Sequence, residues 1–116
     1  MKTSELQGAA LDWAVAKCEG VTVLPKMRGG CYVTLNKGET VLLCYSTDWA
    51  QGGPIIEREG ISILYRVGVN MSANINGQYE QSVPYNQRGN AQLIVAMRCY
   101  VVSKLGDEVE IPEELK

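Results

Sequence analysis

The sequence has 116 residues, of which 46% are hydrophobic and 21% charged, and its formal net charge is −2. Chains of this size and composition fold as one domain with a real core, which argues against disorder and against a fibrous repeat. The eleven Lys and Arg residues are scattered along the chain, so we expect no broad surface for binding nucleic acid.

The longest apolar run, residues 93–97, is too short to cross a bilayer, and the N-terminus has no continuous apolar signal segment. We therefore expect a single domain over residues 1–116, without a membrane segment, in the cytoplasm.

Four cysteines, Cys18, Cys31, Cys44 and Cys99, form no CxxC pair, and the chain has no histidine. The commonest metal ligand and the usual acid/base side chain are therefore missing, and we expect no metal and no cofactor. A disulfide between Cys31 and Cys44 across a hairpin is the alternative to four thiols buried in the core. The reducing cytoplasm favours the thiols.

Residues 4–19 are predicted to form an amphipathic helix. Ser4 and Gln7 have the spacing of a capping box, and Gly20 suits the end of the helix. The apolar residues that form its stripe are Leu6, Ala10, Leu11, Trp13, Ala14, Val15 and Cys18.

Six short runs of β type follow, in two groups of three. The first group is 21–25, 31–35 and 40–45, and the second is 61–68, 69–75 and 78–83. Turn residues separate neighbouring runs, at Gly29-Gly30, at 36–38 and at Asn76-Gly77, so the strands of each group should pair antiparallel. Residues 84–89 are predicted to be a loop.

The segment between the two groups, YSTDWAQGGPIIEREG at 45–60, is predicted to open as a helix. Ser46, Thr47 and Asp48 are all good N-cap residues, and Asp48 would place a negative charge at the positive end of the helix. Gly52 and Gly53 weaken a helix, and Pro54 cannot donate to the carbonyl of Ala50, so we expect a kink or a break there. Alternatively, Pro54 begins a new helical turn with Gly53 as its cap.

A last helix is predicted over residues 91–105, capped by Asn90 and stopped at Gly106. Its apolar residues cover nearly the whole circumference, so it must be covered on more than one side. Because a second subunit is one way to cover it, we expect a homo-oligomer. The acidic tail after Gly106 is expected to be solvated while Val109 and Ile111 pack.

The pattern predicts an α+β fold in the order α-βββ-α-βββ-α, with one antiparallel sheet of about five to six strands and helices packed against it. Three interpretations of the central segment compete. In the first, Trp49, Ile55 and Ile56 pin a bent helix onto the sheet. In the second, the bend binds a ligand or a partner. In the third it is a catalytic loop, for which the acidic Asp48, Glu57 and Glu59 are the candidate groups.

Arg98 interrupts the apolar last helix and therefore needs a partner. A salt bridge to Asp12, Asp48 or Glu57 is one interpretation, and snorkelling to solvent is another. An anchor for an anion beside Trp49 is the functional one. The candidate ligand- or partner-binding residues are thus Asp48, Trp49, Gly52, Gly53, Pro54, Glu57 and Arg98, with no catalytic residue assigned.

Three strings carry a resemblance: STDWAQGGPIIERE at 46–59, AMRCYVVSKLGDEVEIP at 96–112 and the first 20 residues. Together they resemble the NinX-like family of phage proteins. More distantly, the chain is similar to a phage domain described as an αβα sandwich, which implies a sheet with helices on both faces. Residues 69–92 depart from the family pattern.

The resemblance implies a phage or prophage accessory protein in the cytoplasm of the bacterial host, and it supplies no activity. We expect a non-enzymatic module that binds a phage or host protein or forms a homo-oligomer. The alternative is a domain that binds a small ligand or acts as an enzyme, with its site at Asp48–Pro54 and Arg98 behind it.

Overall fold

The computed structural model describes residues 1–21, 24–26, 30–34, 40–66, 70–75, 77–84 and 91–111. A 3-10 turn, Thr3–Glu5, precedes helix α1, Gly8–Cys18. The further elements in chain order are β1 (Leu24–Lys26), β2 (Gly30–Thr34), β3 (Thr40–Leu43), α2 (Trp49–Glu59), β4 (Ile61–Arg66), β5 (Asn70–Ile75), β6 (Gln78–Pro84) and α3 (Ala91–Leu105). Pro84, the first residue of the loop predicted at 84–89, ends β6. The rest of that loop, the cap at Asn90, the turn at 36–38 and residues 112–116 lie outside the described residues.

The strands form two antiparallel three-stranded sheets, β1-β2-β3 and β4-β5-β6. In the first sheet Val33 pairs with Val41, and in the second Ile63 pairs with Ala73. The antiparallel pairing predicted from the turns is confirmed within each group. The prediction of one sheet with five or six strands is wrong for the described strands, because α2 separates the two hairpin groups and each group completes its own sheet.

α1 and α3 lie between the two sheets, whereas α2 contacts α3 and β4. α3 packs against all three strands of the second sheet, and on its other side it contacts α1 and α2. α1 in turn contacts β2 and β3 of the first sheet. Ser62, Leu64 and Ser82 are exposed on the outer face of the second sheet, so the implication of helices on both faces of one sheet is wrong there.

α3 is covered within a single chain. Its buried residues run around the helix and include Leu93, Val95, Met97, Tyr100 and Val101. The second sheet covers one side, and α1 and α2 cover the other. The apolar circumference that suggested a second subunit is therefore explained by packing inside one chain.

α1 begins later than predicted. Ser4 lies in the 3-10 turn and Gln7 is the N-cap residue, without a side-chain cap hydrogen bond, so the predicted capping box does not form. Gly20 has a φ of +73°, as expected for a glycine after a helix. The helix is less amphipathic than predicted, since Asp12 is buried together with its apolar neighbours.

The N-terminal residues pair with the segment after α3. The amino group of Met1 donates to the carbonyl of Val109, and the Val109 amide donates back to the Met1 carbonyl. The Thr3 hydroxyl donates to the Gly106 carbonyl at 2.7 Å. Val109 and Ile111 are buried, as predicted for the two aliphatics of the tail. Within the described ranges, the chain has no helix with the length and apolar character that a membrane span requires.

Candidate functional site

A tight turn brings the chain from β3 into α2. The amides of Thr47 and Asp48 both donate to the carbonyl of Cys44. Asp48 is then the N-cap residue, and its Oδ1 accepts from the Ala50 amide at 2.9 Å, so of the three predicted cap candidates Asp48 is the one used. A carboxylate at this position also interacts favourably with the positive end of the helix dipole.

α2 runs without interruption through Gly52, Gly53 and Pro54, so the predicted break is wrong. The Gly52 amide donates to the Asp48 carbonyl at 2.9 Å, within the first turn. Pro54 has no amide hydrogen, so α2 lacks one backbone hydrogen bond. Ile55 is buried on the inner side of α2, and its packing compensates for this loss. The helix ends at Gly60, whose φ of +66° is left-handed.

Gly52 allows a close approach between α2 and its neighbours. A Cβ atom placed on Gly52 would lie 2.4 Å from the Tyr45 carbonyl oxygen and 2.7 Å from a Leu93 methyl carbon. Gly52 is buried, and its amide is used inside the helix. The exposed glycine amides that a ligand site would have used at this position are therefore not available.

The outer side of α2 carries Trp49, Ala50, Gly53, Pro54 and Glu57, which we call the Trp49 face. Trp49 is 48% exposed, so the interpretation that it pins the helix to the core is wrong, whereas Ile55 and Ile56 do pack inward. The Trp49 ring lies near Gly53, since a Cβ atom placed on Gly53 would be 3.7 Å from a ring carbon. Trp49, Gly53 and Glu57 recur every four residues and share one side of the helix.

Gln51 ties the start of α2 to the end of β3. Its Oε1 accepts from the Cys44 amide at 2.7 Å, and its Nε2 donates to the Leu42 carbonyl at 3.3 Å. Leu42 is itself 43% exposed. The first turn of α2 is therefore held by its cap, by Gln51 and by the close contact at Gly52.

Arg98 lies apart from the other predicted site residues. It is only 7% exposed, its Nε donates to the Leu6 carbonyl at 2.7 Å, and burial lowers the pKa of its guanidinium. Leu93 faces α2, and Arg98 is about 140° further around α3. It forms no salt bridge with Asp12, Asp48 or Glu57, so the predicted ion pair and the anchor beside Trp49 are both wrong.

A polar cluster that sequence reasoning missed joins the three helices. Arg58 of α2 donates to both carboxylate oxygens of Glu19, at the end of α1, with the Nη1 contact at 3.1 Å. The Tyr100 hydroxyl of α3 donates to Glu19 as well, at 2.5 Å. The Arg58 hydrogen bonds hold the pKa of Glu19 below its ordinary value, while burial and Glu19 raise that of Tyr100. No local pattern in the sequence indicates this cluster, since Glu19 is 39 residues from Arg58 and 81 residues from Tyr100.

A second buried contact joins α1 to the turn before α2. The Oδ1 of Asp12 accepts from the amide of Ser46 at 2.9 Å and from its hydroxyl at 2.8 Å. Asp12 is 6% exposed, and burial raises its pKa against the lowering effect of these hydrogen bonds. The contact positions the chain just ahead of the Asp48 cap.

The described thiols suit packing better than nucleophilic chemistry. Cys99 is buried and its Sγ donates to the Tyr79 carbonyl, whereas Cys18 and Cys44 are half-buried, against the prediction of full burial. Burial raises the pKa of Cys18 and of Cys99 to about 11. Cys31 pairs with Leu43 in the sheet register, not with Cys44.

Neither a metal site nor the cavity described next involves α2 in the part of the chain that the structure describes. Among the described residues, no group of three acidic or cysteine side chains is arranged to hold a metal ion. An open cavity of about 360 Å³ lies where the N-terminus meets the segment after α3, lined by Lys2, Thr3, Gln81 and Glu108 among others. It contains none of the predicted site residues.

Comparison with known families identifies the origin of the chain. Residues 2–104 match the family model described as bacteriophage P22, NinX, and the chain belongs to that family. No curated protein matches the chain.

Proposed function

We propose that this member of the P22 NinX family is a phage accessory protein that acts, without catalysis, by binding another protein in the cytoplasm of the infected bacterium. The Trp49 face is the proposed binding surface. The observation that carries the proposal is the half-exposed tryptophan on the outer side of a helix whose inner side is fixed in place.

Burial of a tryptophan side chain stabilises a folded protein, and an exposed tryptophan does not contribute this stabilisation. Tryptophan is also one of the residues that dominate the binding energy of protein interfaces. Trp49 has such a position: its ring lies near Gly53, and its side chain is half-exposed. Burying the remaining surface against a partner would recover that stabilisation.

The backbone beneath Trp49 is preorganised. The Asp48 cap, the two Gln51 hydrogen bonds and the contact of Gly52 with Tyr45 hold the first turn of α2 against β3. A surface that is already rigid loses little conformational entropy on binding. This favours an interface over a segment that must order itself around a ligand.

The alternative, an enzymatic or small-ligand site, was based on exposed glycine amides and on Arg98 behind the start of α2, and neither feature is found there. The Gly52 amide is used within α2 and Gly52 is buried, so it cannot cradle an anion. Arg98 faces Leu6 on another side of α3 and does not lie behind the start of α2. The proposed surface retains Trp49, Gly53, Pro54 and Glu57 of the predicted site, and Asp48 caps the helix that carries them.

We also propose a homo-oligomer, but no longer because of the apolar circumference of α3. Because α3 is covered inside one chain, a second copy would have to use an exposed surface, and the Trp49 face is the candidate. Sedimentation velocity of the wild type and of Trp49→Ser tests this: a dimer that becomes a monomer on substitution supports self-association through this face, and a monomer in both proteins removes it.

The proposal is tested by affinity capture of tagged protein from phage-infected cells. We expect Trp49→Ser to lose the captured partner while its melting temperature stays close to that of the wild type. Leu64→Ser is the matched control, because Leu64 is also 48% exposed but lies on β4. A partner retained by Trp49→Ser, or lost equally with Leu64→Ser, contradicts binding through this face.

A further inference from the structure

We infer that a phosphate group binds between the guanidinium of Arg98 and the N-terminal end of α1. Neither group belongs to the Trp49 face, so this site is independent of the proposed function. Two features of the structure lead to it: a buried arginine with unused hydrogen-bond donors, and a helix end without a cap beside that arginine.

Arg98 has a buried guanidinium whose donors are only partly used. The residue is 7% exposed, and its Nε donates to the Leu6 carbonyl at 2.7 Å. Neither of its Nη groups has an acceptor among the described residues. An arginine offers donors on all of its side-chain nitrogens and keeps its charge in a protein. The positive charge of Arg98 thus lies inside the protein with most of its hydrogen-bonding capacity unused.

No acidic side chain in the described ranges neutralises Arg98. The ion pairs found there belong to Arg58 and Lys104. Burial lowers the pKa of the Arg98 guanidinium, and no described carboxylate counteracts this effect. A buried charge without a counter-charge destabilises a folded protein. An anion bound to the Nη groups would neutralise the charge and satisfy these donors together.

The second feature is the N-terminal end of α1, which packs against α3. The Leu6 carbonyl that accepts from Arg98 directly precedes Gln7, the N-cap residue. Gln7 forms no side-chain cap hydrogen bond, and the first turn has no acidic residue. The amides of Gly8 and Ala10 have no acceptor in the part of the chain that the structure describes. The partial positive charge of this helix end is therefore not offset by a local carboxylate.

This end of α1 is open to solvent. Gln7 and Gly8 are exposed, whereas Leu6 and Arg98 are buried. A Cβ atom placed on Gly8 would meet no described atom within 4 Å beyond its chain neighbours. An anion can thus approach the helix end from solvent, while the guanidinium beside Leu6 supplies donors on the buried side.

The two sets of donors suit a phosphate group. A guanidinium binds oxyanions through parallel hydrogen bonds, and the amides of a helix N-terminus bind phosphate. Because the donors come from two elements, they fit the tetrahedral oxygens of a phosphate better than the planar oxygens of a carboxylate. The full charge of Arg98 and the partial charge of the helix end together favour a doubly charged anion over a singly charged one.

Calorimetric titration of the full chain with inorganic phosphate tests the site, with sodium chloride keeping the ionic strength constant. We expect one phosphate per chain and a Kd of about 1 mM or tighter. Acetate should bind at least about five-fold more weakly. Glycerol 1-phosphate distinguishes the sources of the phosphate group: tighter binding than inorganic phosphate assigns the site to a phosphate ester, and equal or weaker binding assigns it to the free ion.

Arg98→Met removes the guanidinium and keeps a long side chain that suits the interior. It should weaken the binding of phosphate at least about ten-fold, because a hydrogen bond to a charged group is lost. Lys104→Met is the matched control, since it removes an exposed positive charge from the same helix. Its affinity for phosphate should equal that of the wild type.

Gln7→Asp tests the site without a change in the interior. Aspartate is a good N-cap residue, so the variant should have a higher melting temperature than the wild type in phosphate-free buffer. Its carboxylate would occupy the helix end and repel an anion, and we expect phosphate to bind at least about five-fold more weakly. Gln7→Asn, which caps without a charge, should retain more of the affinity than Gln7→Asp.

A lack of phosphate binding at concentrations up to about 10 mM overturns the inference. So does binding by Arg98→Met, or by Gln7→Asp, that is as tight as binding by the wild type. Acetate that binds as tightly as phosphate overturns the assignment to a phosphate group. If Arg98→Met does not fold, the comparison of Gln7→Asp with Gln7→Asn decides between the same outcomes.

Discussion

Glu19 and Arg58 form a bidentate ion pair between helices α1 and α2, and the Tyr100 hydroxyl of α3 donates to the same carboxylate. The Glu19 side chain is 17% exposed, whereas that of Arg58 is 50% exposed. The three helices are thus joined at one point by the mostly buried carboxylate of Glu19.

Glu19→Ala should lower the free energy of unfolding by about 1–3 kcal/mol, because the buried Tyr100 hydroxyl loses its acceptor. The loss can be measured from urea unfolding midpoints. Lys104→Ala is the control: its 3.8 Å contact with Glu59 is at the surface, and such pairs contribute about 0–1 kcal/mol. Equal losses in the two variants would show that the cluster has no special role in stability.

The same carboxylate should make stability depend on pH. The pKa of Glu19 is below its ordinary value of 4.5 in the folded protein, mainly because of the Arg58 hydrogen bonds. A carboxyl with a lowered folded pKa stabilises the protein above the unfolded value, and this contribution is lost as pH falls through the folded pKa. Glu19→Gln should therefore lose less stability than the wild type as pH falls below 4.5. Parallel pH profiles would contradict this assignment.

Gly52→Ala and Gly53→Ala should have opposite effects, although the two glycines are adjacent in α2. A methyl group on Gly52 would collide with the Tyr45 carbonyl, and we expect a loss of about 1–3 kcal/mol. A methyl group on Gly53 meets only the Trp49 ring at 3.7 Å, and the gain in helix propensity should stabilise by about 0.5–1 kcal/mol. Thermal unfolding of the two variants provides the comparison, and a stable Gly52→Ala would show that the helix can move away from Tyr45.

Asp12→Asn should preserve the contact with Ser46 while it removes a charge from the interior. An amide oxygen can accept both Ser46 hydrogen bonds, so stability at neutral pH should be equal to or greater than that of the wild type. Since the folded pKa of Asp12 is raised above its ordinary value of 3.8, its contribution is present below that value and is lost as pH rises through the folded pKa.

Asp12→Ala removes the acceptor altogether. It should cost about 1–3 kcal/mol, because the amide and the hydroxyl of Ser46 are left unpaired at a buried position. Chemical denaturation near neutral pH distinguishes the two variants. An Asn variant as unstable as the Ala variant would show that the charge itself is required.

Sequence patterns correctly predicted the elements that depend on interactions between residues close in sequence. The run 91–105 was long and apolar and ended at a glycine, and α3 occupies those residues. The Asp48 cap depends on neighbours two residues apart and was also predictable. The turn residues at Gly29-Gly30 and Asn76-Gly77 indicated the antiparallel neighbours correctly within each group.

Contacts between distant residues decided what the sequence could not predict. Pro54 and two glycines predict a weak helix, yet burial of Ile55 and the fit of Gly52 against Tyr45 keep α2 continuous. Trp49 has the character of a core residue, and only the orientation of α2 places it on the outside. Arg98 pairs with a backbone carbonyl 92 residues away, a kind of partner that no charge pattern reveals.

The central position of α3 has a consequence for how the chain acquires its structure during synthesis. α1, α2 and the second sheet all pack against residues 91–105, so these elements leave the ribosome before the helix that unites them. Until then the apolar sides of α1 and α2 have no final partner and are open to aggregation or to chaperones. Folding of these elements therefore waits for α3, and a chain arrested before α3 would lack the helix on which the core assembles.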